Sequence, residues 1–450
     1  MKHLGKIMAV LLALTLVFSL GACGQKQEPE QESEQKPAST SGADSETAEP
    51  EAKTPEEPVK LIYARGMDST KANIKIIEAF NKKFEGRINV EFREMPSDTG
   101  AQHDQYVTAF AAGGDEFDVV DVDVIWPAEF AQAGYSLPLD KLIQKDGINM
   151  DEYMQGQRDA GTFKGKLWAM PKFTDGGLLY YRTDIIDKVP QTWEELIAAA
   201  GANKGKEGTK FGYVMQAKQY EGLVCNAVEF IAAYGGAVVD GNGDIIINSP
   251  ETVKGLTVMK EIVTSDFVPN NITTFTEPES HTAFIEGQSV FIRNWPYQWA
   301  LGNDEKQSKI VGKFAMAPLP KGDKKAAACL GGWMTIINKN SKYPAEAWEF
   351  VKFMCGQEGQ KISAIDGGNA PTYLPLYKDE EVLAKSPHFA DQGFVEGLKA
   401  AVPRPVSPIY PKLSDIMQIE ISKALAGEQS IEDAVKHMDE KMKAAVAEAK

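Results

Sequence analysis

The sequence predicts an α/β protein whose folded part is divided into two lobes. Short apolar runs typical of strands alternate with amphipathic helical stretches, and this alternation favours parallel or mixed sheets covered by helices. The part suited to folding, residues 59–450, is about 390 residues long. One hydrophobic core rarely serves so long a chain, which favours two lobes of ordinary size.

The first predicted elements are a strand, a helix and a second strand. Residues 61–64 form a buried strand, and Ser69 or Thr70 caps the following helix, which Gly86 ends. Apolar and polar residues then alternate over 88–93, which predicts a half-exposed strand. The predicted apolar face of the helix consists of Ile74, Ile77, Ala79, Phe80 and Phe84.

Later segments continue the same alternation. Residues 106–112 predict a helix that ends before a pair of glycines, and the valine-rich run 117–124 predicts a strand. The patterns at 192–195 and 430–433 are capping boxes, which begin two further helices. The acidic, glycine-rich stretch 240–244 resembles the start of a calcium loop, but its Asp-Gly and Asn-Gly pairs favour a plain turn between strands.

The N-terminus has the pattern of a secretory signal peptide, residues 1–22. Two lysines precede a run of 14 uncharged residues, which is too short to span a bilayer as a helix of about 20 residues. The sequence Leu-Gly-Ala-Cys, which ends at Cys23, resembles a bacterial lipobox, in which the cysteine becomes the lipidated N-terminus. The alternative is an ordinary signal peptide with a chance cysteine.

Residues 23–58 are predicted to be the lipidated cysteine and a disordered acidic tether. After the cysteine, ten acids and three lysines give a charge of −7, and no aromatic, Ile, Leu, Val or Met residue occurs. Such a segment buries too little apolar surface to offset the entropy of ordering, and its charges extend it. We predict an extracytoplasmic protein that is lipid-anchored to the cell membrane, on a Gram-positive cell surface or otherwise in the periplasm.

Charge and cysteine content argue against several kinds of binding and chemistry. The formal charge of the chain is −16, and removal of the signal and the tether leaves −11 on the folded part. An acidic surface argues against nucleic-acid binding and against a polybasic contact with a membrane. The remaining cysteines, Cys225, Cys329 and Cys355, form no C-x-x-C, so zinc ribbons and dithiol redox chemistry lack support.

No signature of catalysis or of a cofactor occurs in the chain. The sequence has no G-x-S-x-G, H-E-x-x-H, Walker loop or G-x-G-x-x-G, and its five histidines are widely scattered. We therefore predict a protein that is not an enzyme and that needs no cofactor or metal. A secreted, lipid-anchored glycoside hydrolase stays open, because a catalytic pair could be present among the 64 acids. A passive adhesion lipoprotein is disfavoured, because no internal repeat occurs.

Aromatic residues cluster beside polar ones at two places. Residues 291–299 contain four aromatic side chains with an Arg and an Asn, and Pro296 interrupts regular structure among them. At 331–333 two glycines precede a tryptophan. Aromatic faces suit the apolar faces of sugar rings, and carboxylate, Arg and Asn groups suit sugar hydroxyls. The tryptophans expected in the core are Trp168, Trp193 and Trp348.

With these motifs the folded part resembles the bacterial extracellular solute-binding proteins of carbohydrate ABC transporters, and most closely their trehalose/maltose-binding branch. The resemblance covers nearly the whole folded part. It implies a two-lobe α/β fold of the periplasmic-binding-protein-like type II, with a ligand cleft between lobes that hinge crossovers join. It rests on six segments in the family's order, 118–127, 173–182, 220–223, 293–297, 331–333 and 404–408.

The resemblance also implies the division of the chain. Lobe 1 is expected to comprise residues 59–173 plus 321–371, and lobe 2 to comprise 174–320 plus 372–450. The crossovers are expected near 173–177, 317–321 and 370–374.

A set of ligand-binding residues follows from the same resemblance. The carboxylates of Asp123 and Asp175 are expected to accept hydrogen bonds from sugar hydroxyls, and Arg404 to donate to ligand oxygens in a forked geometry. Trp295, Tyr297 and Trp333 are expected to stack on the sugar rings. Tyr220 and Glu221 are expected to lie beside them. The backbone N–H groups of Gly331 and Gly332 are expected to reach the ligand. Asp68 and Ser69, in the first loop, complete the set.

One position departs from the family pattern. Some members carry an Arg where this chain has Gln102 and His103, and neither side chain reproduces a guanidinium fork. His103 is kept as a candidate, and the identity of the sugar is left open. The implied function is capture of a sugar, such as the α-linked disaccharides maltose and trehalose, by a monomer that delivers it to the permease subunits and ATPase of an ABC importer. A binding protein for another oligosaccharide is an alternative.

Overall fold

The computed structural model describes residues 57–449. The predicted signal peptide, Cys23 and nearly all of the predicted tether lie outside the described residues, so these predictions stay predictions. None of the helices between residues 57 and 449 is long and apolar enough to cross a membrane.

Two mixed sheets and a short two-stranded ribbon form the framework of the described residues. Their strands, in chain order, are β1 (Val59–Gly66), β2 (Ile88–Met95), β3 (Val119–Asp123), β4 (Thr162–Phe163), β5 (Lys166–Leu167), β6 (Met170–Gly176), β7 (Leu178–Arg182), β8 (Phe211–Val214), β9 (Ser289–Asn294), β10 (Phe314–Pro318), β11 (Leu330–Ile337) and β12 (Ala370–Pro371).

The two sheets differ in size and in strand direction. The larger sheet has the order β12-β6-β11-β3-β1-β2, and the smaller sheet has the order β10-β7-β9-β8. In the larger sheet β1 runs parallel to β2 and β3, whereas β11 runs antiparallel to β3 and β6. In the smaller sheet β8 and β9 are parallel, and β7 is antiparallel to both of its neighbours. The predicted α/β class with mixed sheets is confirmed.

Helices pack on both sheets. Helices α1 and α11 contact strands of the larger sheet, and α6 and α9 contact strands of the smaller one. The helices are α1 (Ala72–Lys83), α2 (Thr99–Ala111), α3 (Pro127–Ala133), α4 (Asp140–Asp146), α5 (Gln155–Gly161), α6 (Trp193–Asn203), α7 (Glu221–Tyr234), α8 (Pro250–Val263), α9 (Glu277–Ile285), α10 (Gln298–Gly302), α11 (Pro344–Cys355), α12 (Gln357–Gly367), α13 (Glu380–Lys385), α14 (Gln392–Lys399), α15 (Tyr410–Leu425) and α16 (Ile431–Glu448).

The chain passes between the sheets close to the expected positions. Strand β6 of the larger sheet is followed after one residue by β7 of the smaller sheet, and β10 leads back to β11. After β12 the chain continues to α15 and α16, which pack on α7 and α8. The two-lobe fold with crossovers is therefore confirmed, and each lobe is built around one sheet.

The exact lobe boundaries stay predictions. One segment of the predicted lobe 2, residues 374–399, packs against elements of lobe 1. Within residues 374–399, α13 contacts α12 and α14 contacts β6. Burial of apolar side chains holds the segment there. The shared hydrophobic cluster consists of Ala364, Ala370, Leu376, Val382, Phe389 and Leu398.

The first helix begins differently from the prediction. Its N-cap position is Lys71, with a φ of 59°, rather than residue 69 or 70. The hydroxyl of Thr70 still accepts from the amide of Ala72 at 3.3 Å, and the carboxylate of Asp68 accepts from the amide of Asn73 at 2.8 Å. Ile74, predicted on the apolar face, is 42% exposed. Ile77 and Phe80 are buried as predicted, and Ile76 takes the place of Ile74 in the core.

Several other local predictions are confirmed. The hydroxyls of Thr192 and Ser430 each accept a hydrogen bond from the backbone amide three residues further on, at the starts of α6 and α16. Residues 240–244 form a turn, in which the carboxylate of Asp240 accepts two backbone amides. Of the tryptophans expected in the core, two are buried, Trp193 and Trp348, and one is partly buried, Trp168.

Candidate ligand-binding site

A cavity of about 140 Å³ lies between the two lobes. Its walls come from β3, β6 and β11 of the larger sheet, from the starts of α7 and α9, and from the residues that follow β9 of the smaller sheet. Of the thirteen predicted ligand-binding residues, only His103 lies elsewhere. The twelve that line the cavity are Asp68, Ser69, Asp123, Asp175, Tyr220, Glu221, Trp295, Tyr297, Gly331, Gly332, Trp333 and Arg404.

The register of three strands brings four of these residues together. Trp333 of β11 pairs with Asp123 of β3, and Gly331 of β11 pairs with Asp175 of β6. Because alternate residues of a strand point to the same face, the two positions on β11 share one side of the sheet. The ends of these strands therefore form one continuous wall of the cavity.

Two glycines allow close packing at this wall. Gly332 has a φ of 115°, and a Cβ there would lie 2.4 Å from the carbonyl oxygen of Phe173. A Cβ at Gly331 would lie 3.1 Å from the ring of Trp295, which belongs to the other lobe. The missing side chains thus allow a left-handed backbone at Gly332 and a close approach of Trp295 to the strand.

Among the acids that line the cavity, Asp175 has a buried carboxylate oxygen without a hydrogen bond. It is 6% exposed, and its Oδ1 has no hydrogen-bond partner among residues 57–449. Burial raises the pKa of Asp175 to about 7, although the nearby Arg293 opposes the shift. A buried acceptor without a partner is costly, so a donor supplied by a ligand would be favourable here.

Arg404 joins the two lobes through two carboxylates. Its Nη2 donates to Asp123 of β3 at 2.9 Å, and its Nη1 donates to Glu221 at the start of α7 at 2.7 Å. Tyr410 also donates to Glu221, at 2.6 Å. Burial raises the pKa of Asp123, and the charge of Arg404 opposes that rise. Both terminal nitrogens that the prediction assigned to a ligand thus already bond to protein carboxylates.

Trp295 is held from behind by a second arginine. The guanidinium carbon of Arg293 lies 3.7 Å from the centroid of the indole ring. Arg293 is fully buried and donates to Glu229, with 2.9 Å between Nε and Oε2. Arg293 therefore contacts the ring rather than the cavity, and one face of the indole is covered by a cation–π contact. The rest of the ring is available to the cavity.

The carboxylate of Asp68 serves its own loop. Its oxygens accept from the hydroxyl of Thr70 at 2.7 Å and from the side chain of Asn73 at 2.6 Å. Burial raises the pKa of Asp68, but Arg65 and these hydrogen bonds outweigh it and bring the pKa to about 2. The predicted ligand contact of Asp68 is thus limited to its place in the wall, beside Ser69.

His103 lies outside the cavity lining. Its ring lies 5.2 Å from that of Trp126, and its Nε2 lies 2.7 Å from the carboxylate of Glu129. Burial lowers the pKa of His103, but Glu129 outweighs burial and raises it above its ordinary value. Successive helical residues point about 100° apart, so the neighbouring Gln102 lines the cavity instead.

The cavity lining also includes residues that the sequence did not predict for the site, among them the polar residues Arg65, Gln102 and Glu277. Arg65 is the next-to-last residue of β1, which runs parallel to two neighbours. Ligand sites occur at the carboxyl ends of such strands, so the position of Arg65 was a usable signal. No sequence signal singles out Glu277, which begins α9.

An ion pair connects the lobes beside the cavity. Asp98 caps α2, and its neighbours Ser97 and Thr99 line the cavity. Nζ of Lys218, which follows β8, lies 2.8 Å from Oδ2 of Asp98, and both side chains are partly exposed. Partial burial raises the pKa of Asp98, but the hydrogen bond and charge of Lys218, together with backbone amides at the start of α2, outweigh burial and lower the pKa.

Comparisons with known proteins agree with this architecture. Residues 68–361 match the family described as bacterial extracellular solute-binding protein. A probable ABC transporter-binding protein of Deinococcus radiodurans is 35% identical over 364 residues, which cover 78% of this chain and 85% of the relative. An arabinooligosaccharide-binding protein of Bacillus subtilis is 23% identical and is covered to 79%, with 75% of this chain. The structure of maltose-bound T. maritima MalE3 is 36% identical, with a TM-score of 0.81 over 86% of this chain and 99% of that one. This chain belongs to the bacterial extracellular solute-binding proteins.

Proposed function

We propose that this protein is the sugar-binding component of an ABC importer and that it captures its ligand in the cavity between the lobes. One observation carries the proposal: the aromatic rings of Trp295 and Trp333 line the same cavity as Asp175, a buried carboxylate with an unused oxygen. Rings for the apolar faces of a sugar and acceptors for its hydroxyls are the two requirements of sugar recognition. The likeness to a maltose-bound structure supports the same class.

The proposed ligand is an α-linked disaccharide, such as maltose or trehalose. The indoles of Trp295 and Trp333 and the phenol of Tyr297 would stack on the sugar rings, and Asp175 would accept from a hydroxyl. Arg65 and Gln102 each have a buried side-chain atom without a hydrogen-bond partner among residues 57–449, Nε and Oε1 respectively. Nε of Arg65 lies 3.7 Å from Oδ2 of Asp121. Nε of Arg65 and Oε1 of Gln102 supply a donor and an acceptor for further hydroxyls.

The proposed setting is the outer face of the cell membrane. The predicted lipid on Cys23 would anchor the chain, and the acidic tether would hold the lobes off the membrane, where the permease subunits receive the sugar. The lobes are proposed to be 59–173 plus 321–371 and 174–320 plus 372–450, with the helices of 374–399 beside the first.

Calorimetric titration with maltose, trehalose, maltotriose and ribitol tests the proposal. We expect saturable binding of at least one disaccharide and a higher melting temperature, since a ligand at a hundred times its Kd adds about 2.7 kcal/mol of stability. Glucose is assayed in the same mixtures. Absence of binding to every sugar would contradict the proposal, and release of glucose would favour the glycoside hydrolase alternative.

Maltose affinity is expected to fall when the pH is lowered from 8 to 5.5. A sugar hydroxyl that donates to Asp175 favours the carboxylate, so the pKa of about 7 in the free protein drops in the complex. Linkage then makes binding strongest above pH 7 and weaker as Asp175 is protonated, by up to about tenfold for each unit of pKa change. Titration calorimetry at several pH values measures this, with Asp175→Asn as the control. An equal pH dependence in that variant would show that another group is responsible.

Removal of the ion pair beside the cavity is expected to weaken maltose binding slightly. Lys218→Gln removes the partner of Asp98 across the lobes, and exposed pairs contribute about 0.2 to 1 kcal/mol. Because salt screens this pair, affinity should fall with added NaCl in the parent more steeply than in the variant. Lys60→Gln removes an exposed pair with Glu91 within the larger sheet and is the matched control. Identical salt slopes in all three proteins would contradict a contribution of the pair to maltose binding.

A further inference from the structure

We propose that Glu277 is a positioning residue of the sugar site, an inference that rests on the proposed function. Glu277 is the first residue of α9 and lines the cavity. One carboxylate oxygen accepts the phenolic hydroxyl of Tyr220 at 2.8 Å, and the other accepts the indole N–H of Trp295 at 3.2 Å. A single carboxylate thus joins two aromatic walls of the cavity.

The two rings come from elements that are far apart in the chain. Tyr220 precedes α7, and Trp295 follows β9. Both side chains are buried, with 3% and 8% exposed. The indole of Trp295 has Arg293 against one face and Glu277 at its N–H edge. Contacts at a face and at an edge together restrict both the tilt and the rotation of the ring.

Both donors of the contact use the carboxylate as acceptor. The phenolic O–H and the indole N–H both donate, and a carboxylate offers an acceptor to each. An amide in the same place offers one acceptor, so its N–H₂ group fits beside Tyr220 only if the phenolic oxygen turns to accept from it and the phenolic O–H loses its acceptor. The position at the start of α9 also suits a negative charge, because the amide ends of a helix are electropositive.

Fixed rings lower the entropy lost when a sugar binds. Side chains that are already held in the bound orientation need not be immobilised by the ligand. The loss on changing Glu277 should therefore appear in ligand affinity and in the environment of Trp295, more than in the stability of the fold.

A double-mutant cycle with maltose as the probe tests the proposal. In the full chain, Glu277→Gln is expected to weaken maltose binding about 10- to 30-fold, as expected when a charged acceptor with two donors is lost. In the Tyr220→Phe background, the remaining amide oxygen is free to accept the indole, so the same change should cost less than about threefold. Equal losses in the two backgrounds would overturn the proposal.

Glu279→Gln is the matched control on the same helix. Glu279 accepts from the amide of Thr276 at 2.8 Å and so supports the start of α9 without a contact to either ring. This variant is expected to lower the melting temperature and to keep maltose affinity within about twofold. If both variants lower the melting temperature and the maltose affinity alike, disturbance of α9 explains the loss of affinity, and the positioning role is overturned.

The indole N–H resonance of Trp295 gives a readout without ligand. In ¹⁵N-labelled protein it is assigned by its absence in Trp295→Phe, and it should shift in Glu277→Gln but not in Glu279→Gln. An unchanged resonance, or parent-like maltose affinity of Glu277→Gln, would overturn the proposal. If the parent itself binds none of the sugars, the proposed function fails instead, whereas the resonance still reports on the contact.

Discussion

Replacement of Arg404 by methionine is expected to destabilise the fold by about 3 to 5 kcal/mol at pH 7. Arg404 is 3% exposed, and its guanidinium bonds to the buried carboxylates of Asp123 and Glu221. Two buried carboxylates would then lack their cation and repel each other. Urea unfolding at equilibrium measures the loss as a change in the free energy of unfolding.

The penalty should depend on pH in a defined direction. Without Arg404 the folded-state pKa of Asp123, which burial already raises, would rise further above its unfolded value. Protonation then relieves the repulsion, so the loss in Arg404→Met should be larger at pH 8 than at pH 5. Arg93→Met is the control, because it removes an exposed pair with Glu116 and should cost at most about 1 kcal/mol. A loss in Arg404→Met no larger than this control would contradict a buried bridge between the lobes.

Replacement of Trp295 by alanine is expected to weaken maltose binding by about 2 to 3 kcal/mol, roughly 30- to 150-fold. The indole lines the cavity, lies against Gly331 of the other lobe and is backed by Arg293. Its removal would take away a rigid apolar surface and leave Arg293 without its aromatic partner. Titration calorimetry gives the affinity, and thermal unfolding shows whether the variant is folded.

A tryptophan away from the cavity separates binding from stability. Trp168 is partly buried, donates to a backbone carbonyl and does not line the cavity. Trp168→Ala should lose stability and keep maltose affinity within about twofold, since distant sites rarely couple. Parent-like affinity of Trp295→Ala, or equal affinity losses in both variants, would contradict the assignment of Trp295 to the site.

Local patterns were sufficient for the framework of this protein. The alternation of strands and helices predicted the α/β class, and the capping boxes at Thr192 and Ser430 predicted helix starts that the structure confirms. The six family segments indicated ten residues that line one cavity, and the first loop indicated two more, Asp68 and Ser69. Such signals are readable because periodicity and short motifs depend on neighbours in the chain.

The hydrogen-bond partners of the site residues, by contrast, were decided by the tertiary structure. Which of Gln102 and His103 faces the cavity depends on how α2 is rotated against the strands. Arg404 bonds to carboxylates 281 and 183 positions away, and Glu277 joins rings 57 and 18 positions away. The sequence by itself determined the fold class, the approximate crossovers and the residue types available to a site. Only the packed chain decided which side chains are already bonded and which stay free, because burial and hydrogen-bond partners arise between segments that no local pattern connects.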